Sequence, residues 1–173
     1  MTETITDDRR FPPALADLAE VALSYEDGID FEPYEAFDAP EETTDWIRSW
    51  TGNDTLDGGA YRVFGQDGTG GLAALWCVRP GLPLAAQPVV FLGSEGECGA
   101  VAGNLSDFLW VLAEGAGPKE VVEYPGLDTR PHAALTALAE RHAGTPRRPA
   151  AEIVAEAGRE FATFRDDLYA LCR

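Results

Sequence analysis

The apolar positions change period along the chain, and each change marks an element. After Pro12-Pro13, Leu15, Leu18, Ala19, Ala22 and Tyr25 recur at i, i+3, i+4, i+7 and i+10. That spacing predicts a helix with one core-facing stripe, opened by proline in its first turn and ending near Asp27-Gly28. Residues 29–37 alternate imperfectly, and Pro33 cannot donate to a ladder, so an edge strand or extended arm is expected. Trp46, Ile47 and Trp50 form the apolar face of a short helix over 41–50. Its first turn carries Glu41, Glu42 and Asp45, the charge sign a helix N-terminus favours.

From 61 the pattern becomes that of strands. Residues 61–64 and 72–78 read as two arms of a hairpin around the glycine-rich turn 65–71. The segment Pro80-Gly81-Leu82-Pro83 breaks the chain. A buried strand over 88–92, the acidic turn Ser94-Glu95-Gly96-Glu97 and a return strand over 98–102 follow. Connections this short require antiparallel pairing, so a meander of four strands is expected. Asn104 then caps a helix to about 114 with Leu105, Phe108, Leu109 and Leu112 as its core stripe. Trp110, Val111 and Ala113 widen that stripe, so more than one side should be covered. Residues 121–124 read as a short extended segment, 130–142 as a helix and 145–149 as a linker. One last helix is expected over 150–171, on the stripe Ile153, Ala157, Phe161, Phe164, Leu168 and Leu171, with Gly158 its only weak point. Together these elements make an α+β protein. It is a single domain, with an antiparallel or mixed sheet of about four to six strands between N-terminal and C-terminal helices. Residues 145–173 form a C-terminal helical extension.

A chain of 173 residues suits one domain with one core. No run approaches the ~18 apolar residues of a membrane span. The start, MTETITDDRRF, has acids where a signal peptide needs bases, so a cytoplasmic location is expected. Cys77, Cys98 and Cys172 are odd in number and lack metal-ligand spacing, which argues against a disulfide framework or a zinc site. Cys77 and Cys98 lie in apolar runs and read as small buried hydrophobes. The charge changes the picture most. The net charge is −17, and residues 17–57 hold 13 acids against the single Arg48. Such a field repels nucleic acid and anionic membranes and steers a basic partner toward the chain.

The search for chemistry returns little. His132 and His142 lie at a helix start and a helix end, where capping or surface roles are expected. Ser94 sits in Gly-Ser-Glu-Gly rather than a nucleophile elbow. The stretch Asp67-Gly68-Thr69-Gly70-Gly71 lacks the Gly-Lys-Ser/Thr ending of a phosphate loop and precedes a strand. The acids at 27–30 and 95–97 miss calcium-loop spacing. No catalytic residue, metal or cofactor is assigned.

The run DGTGG with Ala74-Leu75-Trp76, then PVVFLGSEGE, then Val101-Ala102-Gly103-Asn104-Leu105-Ser106-Asp107-Phe108-Leu109-Trp110-Val111-Leu112, resembles the SUKH superfamily. That group includes a yeast cell-wall-synthesis regulator and many bacterial immunity proteins. The resemblance covers roughly residues 61–115, and the last sixty residues do not take part in it. It implies an α+β domain and a non-enzymatic binding role, typically neutralisation of a toxin, often a nuclease, by direct contact. A basic protein partner, such as a toxin domain, is therefore expected, and neither nucleic acid nor membrane. The alternative is a regulatory or scaffolding interaction domain without a toxin partner. No contact residue transfers by motif. The acids and aromatics themselves nominate Glu26, Asp27, Asp30, Glu32, Glu35, Glu41, Glu42 and Asp45, with Trp46 and Trp50 as aromatic anchors. Glu95 and Glu97 are read first as turn chemistry.

Overall fold

Neighbouring residues of the central strands are buried on opposite sides, and this sets the architecture. In the computed structural model, which describes residues 9–173, Leu72 and Ala74 pack into one apolar cluster while Ala73 and Leu75 pack into another. Val90 and Leu92 divide from Val89 and Phe91 in the same way. A sheet covered on both faces needs apolar residues at every position, which is why these strands read as unbroken apolar runs.

The strands are β1 (Glu32–Pro33), β2 (Tyr61–Gln66), β3 (Leu72–Trp76), β4 (Val89–Leu92) and β5 (Cys98–Ala102). They pair in sequence order, every neighbour antiparallel, so the expected meander is present with one short strand added at its edge. β1 is only two residues long, Glu32 facing Gln66 and Pro33 facing Gly65. Pro33 and the ring of Phe31 against Gly65 account for its brevity. A Cβ on Gly65 would stand 2.4 Å from that ring, so only glycine allows β1 to approach.

One face is covered by α1 (Pro13–Ala19), α3 (Leu105–Ala113), α5 (Ala133–His142) and α6 (Ala150–Glu160). At its centre Phe31, Phe64 and Phe108 meet edge to face, with ring centroids 5.5 to 6.4 Å apart. The other face is covered by α2 (Pro40–Thr51), through Ile47, and by α7 (Phe164–Ala170), through Phe164 and Leu168. The remaining helix, α4 (Pro118–Glu123), packs beside β4 and β5. Asn104 caps α3 as its position suggests, accepting the Asp107 N–H at 2.8 Å.

Four expectations fail locally. The first helix stops at Ala19 rather than near Asp27, and Tyr25 is 76 % exposed. Ser24 and Asp27 form a capping box of their own over the 3-10 turn Tyr25–Asp27, which Gly28 closes at φ 76°. That local hydrogen bonding competes with helix continuation. Residues 121–124 belong to α4 and not to an extended segment. Pro118 and Glu120 at its first and third positions are start signals that outweigh the β-branched pair Val121-Val122. The last helix is two, broken at 161–163 rather than at Gly158. The break carries the chain from one face of the sheet to the other, so that Phe161 and Phe164 both reach Trp76, at 5.4 and 4.8 Å. Finally, Cys98 is buried, whereas Cys77 is only half-buried. The acidic start of the chain, residues 1–8, lies outside the described residues. Among the described residues no helix is long and apolar enough to cross a membrane.

Candidate functional site

Helix α2 shows two characters around its axis. Ile47, Thr43 and Thr51 point into the core, while Glu41, Glu42 and Asp45 are exposed. Between these sides stand Trp46 and Trp50, four residues apart and therefore one above the other. Their rings stack at 6.1 Å and 18°. Trp50 donates its indole N–H to the Gly93 carbonyl at 2.7 Å, which fixes the ring against the end of β4. Tyr169 of α7 stands beside this pair, tilted by 30° and 6.0 Å from Trp50. Its hydroxyl donates to the Gly96 carbonyl. Asn53 holds the end of α7 in place by donating to the Leu171 carbonyl at 2.8 Å.

These rings wall an open groove of about 700 Å³, closed opposite by the two hairpin turns at Thr69-Gly70 and Ser94-Glu95-Gly96. The turns are joined by a hydrogen bond from the Ser94 hydroxyl to that of Thr69, 2.9 Å. Glu95 lines the groove and is exposed.

The nominated acids do not converge on one spot. Glu32 and Glu42 gather with Asp38 around Tyr34. Burial, then the charges of Asp38, Glu32 and Glu42, push that phenol up to about 12. Asp38, not nominated from sequence, is itself raised, by burial and by Glu42. Glu35, Glu41 and Asp45 are exposed nearby in the chain. Glu26 and Asp27 lie apart, on the 3-10 turn, with Asp27 3.6 Å from His132. Asp30 is engaged inside the fold. It accepts the Gly68 N–H at 2.8 Å and pairs with Lys119 at 3.3 Å. Burial would lower Lys119, but the Asp30 hydrogen bond and the charges of Asp67, Asp30 and Glu123 outweigh it and hold the ammonium above its usual range.

A second acidic group was not visible in the sequence. Glu123 of α4 is raised by burial and by Glu97, Asp67 and Glu95, with Lys119 opposing. The charges of the turn 94–97 therefore reach the end of α4, across a separation of about twenty-five residues in the chain. Beneath them Glu120 is buried. It accepts the Asp30 N–H at 2.6 Å through Oε1, while Oε2 has no hydrogen-bond partner, and burial raises its pKa.

The groups that chemistry would need have scaffold roles. The His132 ring accepts the Leu135 N–H at the start of α5. His142 meets Asp17 of α1 at 2.6 Å. Burial pushes the Cys98 thiol up to about 11, far from a thiolate at neutral pH. Among the described residues no group of three or more His, Cys, Asp or Glu side chains could hold a metal ion. No family model, characterised protein or solved structure matches the chain.

Proposed function

We propose that this is a non-enzymatic binding protein that meets a basic protein partner through the exposed acids Glu32, Glu35, Glu41, Glu42 and Asp45 and the rings of Trp46 and Trp50. The observation that carries this reading is the division of labour among polar groups. Both histidines, the buried thiol and Asp30 serve the scaffold, while Glu32, Glu35, Glu41, Glu42 and Asp45 are exposed at the surface. Exposed carboxylates around a half-buried aromatic pair can act as rim and anchor of an interface. The charge of −17 accelerates encounter with a cationic surface.

The resemblance of residues 61–115 to the SUKH superfamily gives this binding role a biological form: a cytoplasmic immunity protein that neutralises a toxin by contact. A nuclease toxin presents a basic cleft shaped for phosphates, and an acidic surface can occupy it in their place.

The test is capture from a native lysate at low and high salt. The bait is the intact protein or a variant with Glu32, Glu41 and Glu42 changed to Gln and Asp45 to Asn. A basic protein should be held by the parent at low salt, released at high salt and missed by the variant. Identical captures by parent and variant would remove the acidic surface from the account.

A further inference from the structure

We infer that the groove between α2 and the two hairpin turns is an arginine-binding subsite, which takes a guanidinium from a basic segment of a protein partner. This rests on the binding role proposed above and adds where, and by which side chain, the partner is read.

The groove is built as a stack with a polar rim. Trp46, Trp50 and Tyr169 follow one another at 6.1 and 6.0 Å. The Tyr169 end of this ladder already carries a guanidinium, that of Arg165, 5.2 Å from the ring centre. At the other end Trp46 is half-buried, faces the groove and follows directly on the exposed Asp45. Glu95 stands on the turn opposite. A second guanidinium stacked on the indole would have the Glu95 carboxylate on the groove wall to receive its N–H groups.

The chemistry selects arginine over lysine. A guanidinium is planar, weakly hydrated and able to stack on an aromatic face while its edge donates to carboxylates. An ammonium is a compact, strongly hydrated charge that gains from the acids but little from the flat ring. An anionic occupant would meet the Glu95 carboxylate on the groove wall. The ring walls are also rigid. Trp50 is tied to Gly93 and Tyr169 to Gly96, so little ordering remains to be done on binding.

The test uses the full chain and two short peptides of equal charge, one alternating arginine with glycine and the other lysine with glycine. Binding is followed by calorimetry at low salt. The arginine peptide should bind about fivefold to tenfold more tightly. Trp46→Leu should bring it down to the level of the lysine peptide, and Trp46→Phe should keep part of the preference. Ser49→Arg, an exposed change that places the chain's own guanidinium at the groove, should also remove the preference. This second variant decides the matter if Trp46→Leu fails to fold. Equal affinity for the two peptides, or a preference that survives both variants, would overturn the subsite while leaving the acidic-surface reading in place. Absence of binding by both peptides at low salt would overturn the two together.

Discussion

At the scale of single residues, Glu120 shows how a side chain can be legible as one thing and serve as another. Its place three residues after Gly117 marks it as a helix-start acid. What the fold adds is burial, and a hydrogen bond to the Asp30 backbone ninety positions away. Burial raises its pKa above the ordinary 4.5. The folded state therefore binds this proton more tightly than the unfolded chain does. Its contribution to stability is complete below about pH 4.5 and is lost as the pH rises through the raised value. Glu120→Gln keeps an acceptor for the Asp30 N–H and removes the charge. At pH near 7 it should stabilise the protein by on the order of 1 kcal/mol, and near pH 4 it should do almost nothing. Urea denaturation of both proteins at the two pH values measures this, and equal effects at both would show that the charge is not what burial acts on.

At the scale of elements, the hairpins and α3 follow from local pattern, whereas the helices around them depend on what each must reach. The short turns at 67–71 and 93–97 fix the β2–β3 and β4–β5 hairpins, while the twelve residues between β3 and β4 leave the pairing of the two hairpins to the fold. The C-terminal stripe was equally regular, yet it is split between two faces. Ile153 packs against the first cluster, and Phe164 and Leu168 against the second. A continuous helix would leave one of these sets in water. The turn at 161–163 costs a few backbone hydrogen bonds and gains burial on both sides of β5. Phe164→Ala should therefore cost about 3–4 kcal/mol, the range for truncating a buried phenylalanine, despite lying in a helix of only seven residues. A loss under 1 kcal/mol in chemical denaturation would mean that α7 is not part of the cooperative core. The same helix supplies Tyr169, the third ring of the groove. Nothing in sequence places Tyr169 beside Trp50, since each is local to its own helix and only the crossing at 161–163 brings them together.

At the scale of the whole molecule, charge dominates. Three described carboxylates, Asp38, Glu120 and Glu123, are raised, each chiefly by burial, and the exposed Glu156 is lowered by its Arg148 partner. Raised carboxylates and a net charge of −17 act in the same direction on acidification, because protonation relieves both, while added salt screens the self-repulsion alone. The melting temperature should rise, by about 5 °C, as the pH is lowered from 8 to about 5.5 or as salt is raised to about 0.5 M. Calorimetric scans across these conditions check it. A melting temperature that falls on mild acidification would place the stabilising carboxylates in ion pairs instead.

The sequence by itself determined the α+β class, the two hairpins of the meander, the caps and turns that bound them, and the concentration of acid in the first third. These are properties of neighbours, fixed by periods of two and 3.6 and by residues that act within a few positions. Only the tertiary structure decided which acids are exposed and which, like Asp30, are bound inside. It also decided that the charges of Glu95 and Glu97 reach Glu123, and that three rings from two distant helices line one groove. The physical reason is that burial and Coulomb interaction act through space. Two groups far apart in the chain acquire a joint character only once a packed sheet has fixed the distance between them.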